Sequence, residues 1–320
     1  NACTGSDGLT AARTMAADAA QVLNCRPEQV LISSTGVIGQ PLNSEKVREG
    51  IAAAAVQLSR GGHRDAAEAI LTTDRSAKET AVRVTLAGGV IRVGGMAKGA
   101  GMIEPNMATM LAFLTTDADI DPTLLQRALV DAAADTFNAI TVDGETSTND
   151  MVLLLASGKS GVHVGEDDYR AFVAALRAVC RELALAIVKG GEGATKLVGV
   201  TVTGARSKAD ARQGARAIAN SPLVKTAIHG GDPNWGRLIA VAGRAGVDFN
   251  LADASVRIGN VVLFTEETVF ADREPAAAAH LKGTEVTISV DLGVGGSEQA
   301  TIWTCDFSAE YVHINADYRT

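Results

Sequence analysis

Thr109 is the residue of this 320-residue chain whose surroundings best suit covalent chemistry. It follows a glycine-rich loop that carries Lys98, and it opens an apolar run over 109–114 that predicts a β-strand. A threonine hydroxyl that follows a small residue at such a junction can attack the preceding carbonyl carbon, here that of Ala108. The product is an ester, and water would then cut the chain between Ala108 and Thr109.

The cut would also supply Thr109 with a base. A threonine hydroxyl is a weak nucleophile until its proton is removed. The new α-amine could remove it, because such amines have a reference pKa of about 7.7–8.0. The alternative interpretation is structural: Ala-Thr is a common pair, and Thr109 would only begin a buried strand. Spacing alone favours that alternative.

Eight segments resemble, in the same order, the ornithine acetyltransferases, which cut themselves and use the freed threonine as nucleophile. They are 1–5 (NACTG), 33–42 (SSTGVIGQPL), 71–74 (LTTD), 98–118 (KGAGMIEPNMATMLAFLTTDA), 141–150 (TVDGETSTND), 190–196 (GGEGATK), 221–237 (SPLVKTAIHGGDPNWGR) and 314–320 (INADYRT). These segments spread over nearly the whole chain, so the resemblance favours the chemical interpretation of Thr109.

The resemblance implies roles for particular residues. Thr109 would be the nucleophile, and the Thr35 hydroxyl and Gly36 N–H would form the oxyanion hole. Glycine suits that position because it lets the backbone approach a substrate closely. The substrate-binding residues would be Thr72, Lys98, Thr109, Glu192, Asn315 and Thr320.

Structural alternatives stay open for these residues. Thr35 and Gly36 could form a turn that merely needs glycine, and Lys98 could be a solvated loop lysine. Glu192 lies just past a predicted helix end and could be a solvated carboxylate. His229 is expected to orient a loop, and the acidic residues of 141–150 are expected to tie a turn rather than bind a cation.

Composition narrows the class of protein. The chain is 47% hydrophobic and 21% charged, and its net charge of -8 argues against nucleic acid or an anionic membrane as partner. The sequence contains no run of 18 or more apolar residues, which is about the length that a membrane-spanning helix needs. The four cysteines are scattered, which indicates reduced thiols in a cytoplasmic protein. The five histidines are isolated from one another, so we expect no metal site. The chain begins with Asn1, whereas the family carries a segment before NACTG, so we expect the natural amino-terminal part to be missing.

Periodicity predicts irregularly alternating helices and strands with hairpins, which is typical of an α+β fold. We expect helices at 8–24, from Ser44, from Asp121-Pro122, at 167–189, near 207–219 and near 235–243. We expect strands at 30–32, 109–116, 151–156 (fully covered) and 196–203, with hairpins at 82–93, at 256–265 and between 285–292 and 299–304. The resemblance implies a layered αββα-type sandwich, similar to Ntn hydrolases, cut into 1–108 and 109–320.

The resemblance also implies the reaction. N2-acetyl-L-ornithine would acetylate Thr109, and L-glutamate would then accept the acetyl group, with no metal, nucleotide or organic cofactor. Two cleaved heterodimers would form a heterotetramer. Whether acetyl-CoA also serves as donor stays open. Two alternatives remain: a self-cleaving threonine amidase or aminopeptidase, and an inactive scaffold or ligand sensor.

Overall fold

A computed structural model describes residues 1–104 and 110–317. Within these ranges it contains ten α-helices and twelve β-strands. The helices are α1 (Gly5–Leu23), α2 (Ser44–Val56), α3 (His63–Ala69), α4 (Pro122–Ala134), α5 (Tyr169–Lys189), α6 (Lys208–Ala219), α7 (Pro222–Gly230), α8 (Trp235–Gly243), α9 (Glu274–Leu281) and α10 (Ala309–Asp317). The strands are β1 (Lys78–Leu86), β2 (Gly89–Lys98), β3 (Leu111–Thr116), β4 (Asp119–Ile120), β5 (Met151–Ala156), β6 (His163–Val164), β7 (Leu197–Ala205), β8 (Ser255–Ile258), β9 (Val261–Thr265), β10 (Thr268–Val269), β11 (Glu285–Asp291) and β12 (Glu298–Cys305).

The first sheet has the order β1-β2-β3-β5 and brings both sides of the expected cut together. β2 pairs antiparallel with β3, and β3 pairs parallel with β5. Lys98, Leu111 and Met151 therefore form one row across three strands. Ala108 and Thr109, on which the expected cut falls, lie outside the described residues.

A second sheet of six strands has the order β10-β9-β8-β11-β7-β12, and a third pairs β4 with β6. In the six-stranded sheet only β7 and β11 run parallel; the other described pairs are antiparallel. α5 covers the first sheet with the apolar stripe that its periodicity predicted, including Phe172, Leu176 and Ile187. α6 packs on β7 and β12, and its buried residues join a second apolar core. The predicted α+β layered fold is confirmed.

Two predicted strands differ from the structure. Residues 30–32 have no regular structure, and Leu31 is 57% exposed. A strand needs a neighbour for its backbone groups, and the described sheets offer none there. The run 151–156 does form β5, but β5 is an edge strand rather than a fully covered one, with Leu155 55% exposed. An apolar run alone does not show how many neighbours a strand has.

Two local expectations were also wrong. The predicted hairpin between 285–292 and 299–304 does not form, because β7 lies between β11 and β12 and pairs with both. The cap of α2 is Asn43, whose side chain accepts a hydrogen bond from the Lys46 N–H, and not Ser44. Asparagine and serine are about equally good caps, so sequence alone could not separate these neighbours. No helix in the described ranges is both long and apolar enough to cross a membrane.

Candidate active site

Six of the residues expected at the site line one cavity of about 300 Å³. They are Thr35, Gly36, Thr72, Lys98, Glu192 and Asn315. Because they come from distant parts of the chain, their meeting is a property of the fold and not of one loop. The other two, Thr109 and Thr320, lie outside the described residues.

Lys98 ends β2 and is a buried cation, only 4% exposed. Its Nζ donates a hydrogen bond to Thr72 Oγ1 at 3.0 Å. Burial lowers the pKa of the Lys98 ammonium, while the neighbouring Asp74 carboxylate acts in the opposite direction. Asp74 pairs with the buried Lys78 and accepts the Gly99 N–H at 2.7 Å. The cavity thus contains a cation that Thr72 holds in place and that can receive an anionic group.

Glu192 supplies the opposite charge from the segment that follows α5. It is 7% exposed and accepts a hydrogen bond from Asn315 Nδ2 at 2.9 Å. Its N–H donates to the Ala100 carbonyl oxygen at 2.8 Å, beside the Lys98 loop. A Cβ at Gly101 would overlap a Glu192 carboxylate oxygen, so a side chain there would displace this carboxylate from its place in the cavity. A cation and a carboxylate in one cavity suit a zwitterionic ligand such as an amino acid.

The Thr35–Gly36 turn reaches the cavity without belonging to a helix or strand. Asn149 Nδ2 donates to the Ser34 carbonyl oxygen at 3.0 Å. A Cβ at Gly36 would lie 2.9 Å from the Asn1 side chain. Asn149 therefore helps to set the position of this turn.

Asp150 is a residue whose role sequence reasoning missed. It was expected to tie its own turn, but its Oδ1 accepts the N–H of Met110 at 2.9 Å. Its Oδ2 is buried and has no hydrogen-bond partner among the described residues. Burial raises the pKa of this carboxyl to about 7, against the opposing effects of the Met110 N–H and of Lys98. Its position directly before the apolar run 151–156 could have indicated this role, because a residue that precedes a strand lies at the end of a sheet.

Asp143, in the same motif, does tie the backbone as expected, but it ties two loops. It accepts the N–H groups of Met102 at 2.6 Å and Ile103 at 2.9 Å, and that of Glu145 at 3.3 Å. The Tyr311 hydroxyl donates to the same carboxylate at 3.3 Å, and burial first, then this carboxylate, raises the pKa of Tyr311. Asp143 thereby connects α10 to the loop that precedes the expected cut.

His229 supports the segment that follows Glu192. Its Nδ1 lies 2.6 Å from Oδ2 of the buried Asp306, which also accepts the N–H groups of Thr195 and Lys196. These hydrogen bonds lower the pKa of Asp306 although burial opposes them. The arrangement agrees with the loop-orienting role that the sequence predicted for His229.

The sequence resembles known proteins over its whole length. The ArgJ family model matches residues 1–320. The arginine biosynthesis bifunctional protein ArgJ of Symbiobacterium thermophilum is 49% identical over 323 residues, which cover 100% of this chain and 80% of that protein. The protein of the same name from Chlorobaculum tepidum is 49% identical and covered over 79% of its length.

A solved structure adds evidence at the level of the fold. The crystal structure of arginine biosynthesis bifunctional protein argJ from Bacillus halodurans matches with a TM-score of 0.63 and 44% identity. The match covers 66% of this chain and 100% of that one. This match agrees with the family model and with the relatives, which are 49% identical over the full length of this chain. The chain belongs to the ArgJ family.

Proposed function

We propose that this chain transfers the acetyl group of N2-acetyl-L-ornithine to L-glutamate, through an acetyl-Thr109 intermediate. The observation that carries the proposal is the cavity, in which buried Lys98 and buried Glu192 offer opposite charges. The donor has a carboxylate for Lys98 and a side-chain ammonium for Glu192. The relatives' printed name, arginine biosynthesis bifunctional protein, supports substrates of this class.

The proposed mechanism is acyl transfer in two halves. The Thr109 hydroxyl gives its proton to its own α-amine and attacks the acetyl carbonyl, and ornithine leaves with the proton. The Thr35 hydroxyl and Gly36 N–H would stabilise the oxyanion in each half. The amine of glutamate then attacks the acetyl ester and regenerates Thr109. Ping-pong kinetics follow from this covalent intermediate.

The proposal includes a cut into 1–108 and 109–320. The matched chain from Bacillus halodurans supports it by length, because it is matched whole while covering 66% of this chain. Residues 109–320 also make up about two thirds of the 320. Met110, which follows the proposed nucleophile, directly precedes β3, and the first residue of β3, Leu111, pairs with Lys98 at the end of β2.

We extend the proposal to acetyl-CoA as a second donor, because the relatives' shared name calls them bifunctional. We also propose a cytoplasmic heterotetramer of two cleaved heterodimers. The exposed free thiols of Cys3 and Cys25 support a reducing compartment. Light scattering on the native protein gives the mass that tests the assembly.

The test is incubation with acetylornithine, with and without glutamate. We expect sustained ornithine release and acetylglutamate only when glutamate is present, with at most one ornithine per Thr109 in its absence. Equal, sustained release without glutamate would support the amidase alternative. No release in either case would favour the inactive scaffold or sensor.

A further inference from the structure

The proposed nucleophile has no amine of its own before the chain is cut. The nitrogen of Thr109 is then part of a peptide bond and cannot act as a base. The group that would activate Thr109 during turnover therefore cannot activate it for the cut. Because a threonine hydroxyl needs a base to become a nucleophile, the cut requires a different proton acceptor.

Asp150 contacts the described residue that directly follows the proposed nucleophile. Its Oδ1 binds the N–H of Met110, the residue that follows Thr109 in sequence, at 2.9 Å. Its Oδ2 is buried and unpartnered among the residues that the structure describes. Burial of a carboxylate oxygen that has no donor among the described residues is unfavourable for the ionised form. Groups kept in such unfavourable environments concentrate at functional sites.

We propose that Asp150 is the general base for the cut between Ala108 and Thr109, an inference that rests on the proposed function. Oδ2 takes the proton of the Thr109 hydroxyl as Oγ bonds to the Ala108 carbonyl carbon. The C–N bond then breaks, and the leaving nitrogen takes the proton from Asp150 and becomes the free amine. Water adds to the ester, the C–Oγ bond breaks, and Ala108 leaves as a carboxylate while Thr109 regains its hydroxyl proton. One peptide bond and one water are consumed.

The charges around Asp150 suit this role. Lys98, at the end of β2, favours the ionised carboxylate, and behind Lys98 lie Asp74 and Lys78, which form a pair with each other. Burial keeps the pKa of Asp150 near 7, so its carboxylate is a stronger base than an exposed aspartate and is still substantially ionised at neutral pH.

The neighbouring residue links this base to the proposed oxyanion hole. Asn149 holds the Ser34 carbonyl oxygen beside Thr35 and Gly36, while Asp150 holds Met110. One dipeptide thus contacts both the segment of the proposed oxyanion donors and the residue directly before β3. The oxyanion formed during the cut needs the same kind of stabilisation as the one formed during acetyl transfer.

The test follows the loss of the intact chain on a denaturing gel after pulsed cell-free synthesis, for the wild type and Asp150→Asn. Asparagine keeps an oxygen for the Met110 N–H but cannot take the proton. We expect the cut to slow about 100-fold, in line with the usual contribution of a general base. In the wild type the rate should rise with pH up to about 7 and then level off, and this dependence should disappear in Asp150→Asn.

Two further variants separate base catalysis from folding. Asp121→Asn removes a carboxylate that only caps α4, through the Thr123 N–H, and should be cut at the wild-type rate. Asp150→Ala should be cut slowly and accelerated by added formate, which a purely structural defect would not show. Wild-type rates in Asp150→Asn would overturn this inference alone. A wild-type chain that stays intact would overturn both it and the proposed function.

Discussion

Thr35 allows a test at the level of a single side chain, because alanine removes only its hydroxyl donor and its methyl group. Loss of one oxyanion donor costs about 2.7–4 kcal/mol of transition-state stabilisation. We expect Thr35→Ala to reduce kcat by about 10²–10³-fold. The melting temperature should stay unchanged, since Thr35 belongs to no helix or strand. Steady-state kinetics and thermal unfolding check this, and Thr35→Ser, which keeps a hydroxyl, should retain most activity. Near-normal kcat in Thr35→Ala would remove Thr35 from the mechanism.

Asp150 should affect the pH dependence of the melting temperature as well as the rate of the cut. Its folded-state pKa is raised from 3.8 to about 7, so the protonated form is favoured in the folded protein. The associated stability is present at low pH and is lost as pH rises through about 7. The melting temperature of Asp150→Asn relative to the wild type should therefore increase between pH 3.8 and 7.

Asp121→Asn is the matched control with the opposite sign. Hydrogen bonds from Thr123, the backbone N–H first, lower the pKa of Asp121. The stability that this carboxylate contributes is therefore present above its ordinary pKa and is lost as pH falls. Asp121→Asn should lose stability relative to the wild type as pH rises. Parallel pH profiles for the two variants would contradict the assigned environments.

Residue types and motifs predicted which side chains meet better than they predicted how each is held. Thr72 and Lys98 were expected together, and the structure joins them directly by a hydrogen bond. That Asp150 Oδ2 is buried with no partner in 1–104 and 110–317 could not be predicted, because burial of one carboxylate atom depends on tertiary packing. The contact of Asp143 with Tyr311 joins residues 168 positions apart, beyond the reach of any local pattern.

At the level of elements, α10 closes the cavity through contacts with the segment after α5. Asn315 binds Glu192, and the hydroxyl of Ser308, the residue directly before α10, donates to the Gly193 carbonyl oxygen at 2.7 Å. Gly193 has φ +69°, and a Cβ there would lie 2.5 Å from the Tyr311 backbone nitrogen. The close approach of α10 therefore depends on this glycine.

Gly193→Ala should displace α10 and separate Asn315 from Glu192. A hydrogen bond to a charged group contributes about 1.5–3 kcal/mol, so we expect KM for acetylornithine to rise about tenfold or more. Gly295→Ala is the control, because Gly295 has the same φ of +69° but open space around it. Both variants should lose about 1–2 kcal/mol of stability from backbone strain. An equal effect of the two on KM would show that α10 does not shape the site.

Sequence patterns predicted an element well where one of its faces is buried. They predicted strand arrangement poorly, because it depends on which strands pair with one another. The stripe on α5 was correct because a helix shows its core-facing side by periodicity. The number of neighbours of β5 and the insertion of β7 between β11 and β12 depend on pairing across long stretches of chain. Periodicity contains no information on that pairing.

For the molecule as a whole, the proposed cut falls between two strands that remain paired. β2 and β3 share six residue pairs from Val93↔Thr116 to Lys98↔Leu111, and α5 packs on both β1 and β2. We therefore expect the two fragments to elute as one species in native gel filtration and to separate only in denaturant. Separate elution under native conditions would contradict this.

A substitution at Gly95 tests the pairing of β2 with β3, called here the β2–β3 joint. A Cβ there would lie 2.9 Å from the Phe113 carbonyl oxygen and press on Leu114 of β3. Gly95→Ala should lower the free energy of unfolding by about 1–3 kcal/mol, the usual cost of overpacking, and ease fragment separation. Gly230→Ala, with open space around it, should leave both unchanged. Denaturant titration with gel filtration compares the two, and equal midpoints would contradict the role assigned to the β2–β3 joint.

The most direct test of the central claim is mass spectrometry of fully active protein after denaturation. We expect two fragments, 1–108 and 109–320, the larger one beginning with Thr109 and carrying one acetyl group on its hydroxyl after exposure to acetylornithine alone. An unbroken Ala108–Thr109 bond in active material would contradict it.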